Sequence, residues 1–272
     1  LMYGMAEFYG GGAFVIINTF FLVFLTKALG MPAALAGAIP MVGKVWDAIT
    51  DPMMGNITDR TSSRFGPKRL YILIGGILSA IAFISLWTTI PSRSTTVQFI
   101  YYIVMYCLFS TCFTIIMVPY NGLLPDMVDS YDVRSKFSSL RMIWSTVGAI
   151  LAGLVPTLMI KDTLNTSMYL KVAIIFGILF GFAAVVTFIG TWENVKPPVK
   201  TKLRDSFSEA SSVLRSRSFK IFIGIYLSGQ CAMDFVSGMA IYYVDDVLGG
   251  YDKGYLTMLM GVLLSSQLIG ML

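Results

Sequence analysis

The chain contains no histidine. That absence removes imidazole metal ligands, imidazole general bases and imidazole proton relays together. Charge is scarce as well. Asp, Glu, Lys and Arg make up 13% of the 272 residues, where a soluble domain carries about 25%. Only three cysteines are present, Cys107, Cys112 and Cys231, each inside an apolar run. None has ligand spacing, so all three read as small buried hydrophobes. No Ser/Lys or Cys/His set lies within reach in sequence and no metal-ligand cluster is visible, which argues against an enzyme. No cleavable signal peptide is visible either.

What the chain has instead is apolar length. Hydrophobic residues make up 56% and the mean hydropathy is +0.74. Repeated runs long enough to cross a bilayer predict an all-α polytopic membrane protein. The expected spans are 7–29, 33–57, 70–90, 97–118, 138–160, 168–192 and 219–244, with an eighth starting near 254. Pro119 and Pro125 are expected to end the fourth. The chain opens almost in a span and stops inside another, so both ends are expected to be cut from a longer protein.

The net charge of +5 is a topology signal, not a nucleic-acid one. Fourteen basic residues fall in one set of loops, among them Arg60, Arg64, Lys68, Arg69, Arg134, Lys136, Arg141 and Lys196 to Lys220. Five fall in the other: Lys27, Arg93, Lys161, Lys171 and Lys253. The positive-inside rule places the first set, and with it the amino terminus, in the cytoplasm. The expected organisation is a six-helix half over 1–192, a cytoplasmic linker over 193–218, and the start of a second half over 219–272. That is the layout of a transporter with two six-helix halves, sited in the cell (inner) membrane as a multi-pass protein.

The second span carries the sharpest signal. Lys44, Asp47 and Asp51 fall at i, i+3 and i+7, on one helical face. A carboxylate at bilayer depth costs about 2.5–3.5 kcal/mol even on insertion scales. Two acids and one base there need a wet, inward or mutually paired setting. They read as an ion path, with a structural ion pair as the bland alternative. Thr50 beside Asp51 adds an oxygen. In the fourth span Ser110, Thr114 and Asn121 share a stripe, and a hard cation wants several such oxygens. In the first span Glu7, Gly11 and Asn18 share a face, and Gly10, Gly11 and Gly12 leave it without bulk for close helix approach or a ligand. Arg141 opens the fifth span, where snorkelling is the default. In the seventh, Gln230 and Asp234 sit at i, i+4, and the isolated acid argues for a water-lined cavity.

Trp46-Asp47-Ala48-Ile49-Thr50-Asp51-Pro52-Met53-Met54-Gly55, followed by Thr61-Ser62-Ser63-Arg64-Phe65-Gly66, closely resembles the signature of the glycoside–pentoside–hexuronide:cation symporters, a branch of the major facilitator superfamily. Tyr3 to Phe8, Pro119 to Pro125 and Gly238 to Tyr243 fit it too, so the resemblance spans nearly the whole chain. It implies a complete amino-terminal bundle, the first helices of a second bundle, and symport of a sugar or glycoside with Na⁺, Li⁺ or H⁺ by alternating access. No cofactor is implied; the partners are a small sugar, a monovalent cation and the bilayer, without nucleic acid. Asp47 and Asp51 match the cation carboxylates (a Na⁺ metal site in a sodium-coupled carrier), and Thr50 and Thr114 match neighbouring ligands. Glu7, Asn18, Asn121, Arg141 and Asp234 are the implied substrate residues, and Asp59, Arg60 and Arg64 the implied cytoplasmic gating loop. The family's melibiose carriers have an asparagine at Thr50, a Lys-Asp pair at Gly10 and Gly11, an acid at Met117 and a tryptophan at Asn121. Those departures imply another substrate: a different glycoside, a pentoside, or a uronide held by Arg141. A major facilitator carrier for a non-sugar solute is the alternative expectation.

Overall fold

The computed structural model describes residues 1–92, 94–128, 130–193 and 216–247, and the isolated positions 255, 258, 261 and 262. Arg93, Lys253, nearly all of the expected 193–218 linker and most of the expected eighth span lie outside the described residues. The described regular structure is helical, with no strand among the described residues.

The elements are α1 (Met5–Ile16), α2 (Ala33–Arg60), α3 (Pro67–Leu86), α4 (Thr95–Met127), α5 (Tyr131–Met159), α6 (Thr166–Gly190) and α7 (Arg217–Tyr242). Five of them, α3 to α7, are long and apolar enough to cross a membrane. The expected all-α membrane architecture holds among the described residues. Exposed Ile74, Ile77 and Ile81 on α3 and Ile178, Phe182 and Ile189 on α6 form apolar outer faces suited to acyl chains.

Two local expectations fail. The fourth span does not end at Val118; α4 runs on to Met127 with Pro119 and Pro125 inside it. Neighbouring helices in a bundle can absorb the freed backbone groups, so proline breaks a membrane helix less readily than a soluble one. The loop expected around Asp126 to Lys136 shrinks accordingly. The first span is not a uniform α-helix either. Past Ile16 it widens into two π-helical turns, Ile17–Phe21 and Phe24–Ala28. The first carries Asn18, and α7 packs against it.

Small residues set the crossings that matter for the site. A Cβ on Gly11 would sit 2.6 Å from the Ser145 carbonyl, and one on Gly148 would sit 2.4 Å from the Phe8 carbonyl. Helices α1 and α5 therefore touch backbone to backbone, as small-residue seams allow. A Cβ on Gly43 would sit 2.2 Å from Tyr106 Cε1, so the buried Tyr106 ring packs on bare α2 backbone. Of the three neighbouring glycines in α1, Gly11 and Gly12 serve close approach, whereas Gly10 and Gly11 also border open space.

Candidate functional site

Two adjoining arrangements gather the candidate polar residues of the first, second, fourth, fifth and seventh spans. The first is the seam between α2 and α4. The Ser110 hydroxyl donates to Asp47 Oδ1. One turn further, the Thr114 hydroxyl donates to Asp51 Oδ1 at 2.7 Å. Both hydroxyl residues are buried and Asp47 is half-buried. Trp46 Nε1 donates to the Thr111 hydroxyl at 2.8 Å and pins the same seam. Among the described residues neither carboxylate is in an ion pair. The bland expectation of a structural ion pair is therefore absent at these acids.

Thr50 turns its hydroxyl proton onto its own helix. Its hydroxyl donates to the Trp46 carbonyl of its own helix at 3.2 Å, with a weaker approach to the Asp47 carbonyl at 3.5 Å. Helical threonines commonly bond back one turn in this way. Donation uses the O–H, so both lone pairs of this oxygen stay available to a cation.

The second arrangement is a cavity of about 760 Å³ between the first span, α2, α4, α5 and α7. Its volume falls in the range of small-molecule sites. Glu7, Gly10, Phe14 and Asn18 line one wall. Lys44 enters from α2, with Nζ over the Phe14 ring at 4.7 Å. So the stripe expected from spacing divides: Lys44 reaches the cavity, while Asp47 and Asp51 lie on the α4 seam. Across the cavity, Asp234 Oδ1 accepts from Asn18 Nδ2 at 3.1 Å and from Gln230 Nε2 at 3.4 Å. This joins the first span to α7, and the acid expected in a polar cavity is in one. Cys231 is exposed on the same wall and not buried.

Glu7 and Arg141 are placed differently from expectation. Arg141 does not snorkel; it lies well inside α5 and turns inward. Its Nε donates to Glu7 Oε1 at 3.0 Å, and a terminal nitrogen completes a close ion pair. The same nitrogen donates to Asn121 Oδ1 at 2.5 Å, and the guanidinium lies over the Tyr120 ring at 4.6 Å. The stripe in α4 thus serves two partners: Ser110 and Thr114 face α2, and Asn121 faces α5. A smaller space of about 320 Å³ lies beside this pair; Glu7 and Ser145 line both.

The expected loop residues lie at the surface of one end of the bundle. Asp59, Arg60 and Arg64 are exposed, and Arg64 lies over its neighbour Phe65. The same end of the bundle is instead tied by residues that sequence reading passed over. Lys68 pairs with Asp126 and donates to the Gly122 carbonyl at 2.8 Å. Glu193 Oε2 accepts from the Lys68 and Arg69 backbone N–H groups at 3.0 and 3.4 Å, at the amino end of α3. Arg69 donates to the Phe188 carbonyl at 2.7 Å. The run of Gly66-Pro67-Lys68-Arg69 before an apolar helix was the available signal, since a helix start attracts a carboxylate. Burial still raises the Glu193 carboxyl above its ordinary value, against the lowering effect of those N–H groups and of Lys68.

The chain is 38% identical over 158 residues to an uncharacterized symporter of Synechocystis sp., an alignment covering 56% of this chain and 29% of that protein. It is 25% identical over 214 residues to the isoprimeverose transporter of Lactiplantibacillus pentosus, covering 74% of this chain and 44% of the relative. The chain thus spans less than half the length of either relative. Among solved structures, the D-xylose-proton symporter superposes with a TM-score of 0.61 at 13% identity, over 97% of this chain and 65% of that one, a likeness of fold. The model of the MFS/sugar transport protein family matches residues 2–272. The chain therefore belongs to the MFS/sugar transport protein family.

Proposed function

We propose that the protein to which this chain belongs is a secondary active transporter that moves a sugar or glycoside together with Na⁺, Li⁺ or H⁺ by alternating access. The observation that carries this reading is the pair Asp47 and Asp51. Each is held by an α4 hydroxyl and is in no ion pair among the described residues, and they lie one and two turns along α2 from Lys44, which lines the large cavity. Two carboxylates on adjacent turns repel, and a small cation relieves that repulsion.

In this reading Asp47 and Asp51 bind the cation, and Ser110 and Thr114 orient them and add oxygens. Thr50, its proton turned to its own helix, keeps its oxygen for the same cation. The solute sits against Glu7, Asn18, Asn121, Asp234 and Lys44, with Arg141 behind Glu7. Phe14 offers an apolar ring face beside these polar groups, the mixture a sugar presents in reverse. Residues 1–192 form the amino-terminal half, 193–218 a cytoplasmic linker and 219–272 the start of the carboxy-terminal half. The amino terminus faces the cytoplasm of the cell membrane. Coupling is a free energy of about 1–3 kcal/mol shared by the two sites, and it is reciprocal. The relatives, named as a symporter and as an isoprimeverose transporter, support the class.

The test is uptake of a glycoside panel by the full-length protein in proteoliposomes, in Na⁺ and in Na⁺-free buffer at two pH values. Accumulation that depends on a cation gradient is expected for at least one sugar. Cation-independent equilibration of every sugar contradicts the reading.

A further inference from the structure

We infer that Glu7 is a selectivity residue of the cavity: by holding the Arg141 guanidinium, it fits the site to uncharged, hydroxyl-rich solutes and sets it against carboxylate-bearing ones. The inference rests on the transport reading above and narrows its substrate class.

Arg141 is the basic residue best shaped to clasp a carboxylate, since its fork matches that group on two donors. In this chain two of the three nitrogens of that fork are already engaged. Nε and one terminal nitrogen go to Glu7 Oε1, that same nitrogen also meets Asn121 Oδ1, and Tyr120 covers the guanidinium face. The two side chains are only 21% and 16% exposed. A solute carboxylate arriving here has two options. It can displace Glu7, which strands a mostly buried carboxylate without its cation, or it can share the guanidinium, which sets two like charges together.

The remaining atoms suit hydroxyl groups. Glu7 Oε2 faces Gly10, where a Cβ would stand 3.1 Å away. The Met117 methyl packs over the same glycine, 2.8 Å from that Cβ position, and Glu7 lines the cavity with Oε2 in no hydrogen bond among the described residues. Asp234 stands on the α7 wall with its Oδ1 occupied by two amides, which leaves Oδ2 for a ligand. Ionised carboxylates only accept hydrogen bonds, so both are matched to hydroxyl donors and mismatched to an anion. The charge count points the same way. Arg141 offsets Glu7, and of the remaining charges Lys44 stands against Asp234 in the cavity and Asp47 and Asp51 on the adjoining seam. The balance is negative even with one monovalent cation bound, and an anionic solute adds to it.

The experiment uses the full-length protein in proteoliposomes with a cation gradient. The probes are matched 4-nitrophenyl β-D-glucoside, β-D-xyloside and β-D-glucuronide. Wild type is expected to take up a neutral member at least tenfold faster than the glucuronide at equal concentration. Glu7→Gln keeps a hydrogen bond to Arg141 while freeing its charge, and is expected to shift the ratio at least tenfold toward the glucuronide. Glu7→Asp, which keeps the charge, retains the neutral preference. Preferential uptake of the glucuronide by wild type overturns the inference whatever the variants do, and does so most directly if Lys44→Gln abolishes that uptake. An unshifted ratio in a folded Glu7→Gln protein overturns it as well. If no sugar of either charge accumulates with any cation, the transport reading itself fails and this one falls with it.

Discussion

The Thr114 hydroxyl donates to Asp51 at 2.7 Å, one turn along α4 from the Ser110 hydroxyl that donates to Asp47. The spacing of two acids on α2 is met by the spacing of two hydroxyls on α4, and neither acid has a cation of its own among the described residues. A net hydrogen bond to a charged group is worth about 1.5–3 kcal/mol. Thr114→Val and Ser110→Ala are therefore each expected to raise the cation concentration for half-maximal sugar uptake by about tenfold or more. The cation dependence of initial uptake rates measures this. An unchanged half-maximal concentration in both variants would place these hydroxyls outside the cation site.

Glu7 and Arg141 are a pair mostly screened from water. Removing one member of such a pair typically costs about 3–5 kcal/mol, because the other charge is left behind. Glu7→Ala is expected to lower the thermal midpoint markedly, and Glu7→Ala combined with Arg141→Met to recover most of the loss. Unfolding followed by intrinsic fluorescence reads both. Equal midpoints for the single and double variants would mean that the pair contributes by packing and not by charge.

The close contact of Gly43 with the Tyr106 ring fixes how α2 lies on α4. A Cβ there overlaps the ring, and over-packing of this kind costs about 1–3 kcal/mol. Gly43→Ala is expected to lower stability and to weaken the cation effect on uptake, since the seam that holds Asp47 is pushed open. Tyr106→Leu in the same protein restores room and is expected to return part of both. If Gly43→Ala alone leaves both unchanged, the seam is more compliant than its geometry indicates.

Membrane spans were legible because a run of apolar residues has one economical fate in a bilayer. The α2 acids were legible for the converse reason: charges inside such a run demand an explanation. Contacts between helices were not. Glu7 and Arg141 are 134 positions apart, and Glu193 meets Lys68 across 125; no periodicity relates such pairs. The Thr50 bond to the Trp46 carbonyl was not legible, because spacing gives a side chain's face but not whether its hydroxyl bonds its own helix. Pro119 and Pro125 pointed to a helix end under rules that hold in water and relax inside a bundle.

Glu193 lies outside the spans, and burial raises its carboxyl. A group that binds its proton more tightly when folded adds stability below its unfolded value, and that stability is lost as pH rises through the folded one. Glu193 is therefore expected to contribute a fall in stability as pH climbs from the ordinary glutamate range toward neutrality. Glu193→Gln keeps an acceptor for the α3 amides and is expected to remove that part of the slope. Midpoints measured from pH 4.5 to 7.5 test it, and a steeper slope in the variant contradicts it. Gly66→Ala probes the same junction from the backbone side. Gly66 has φ of +94°, and a Cβ there would sit 2.2 Å from Glu193 Oε2; a loss of about 1–3 kcal/mol is expected.

The most direct test of the central claim is the accumulation ratio of a transported sugar for Asp51→Asn, in the full-length protein under an inward cation gradient. The account predicts that the ratio falls to one, at which inside and outside concentrations match, while downhill exchange continues. A variant that still concentrates sugar against its gradient would show that Asp51 does not couple the cation to the solute.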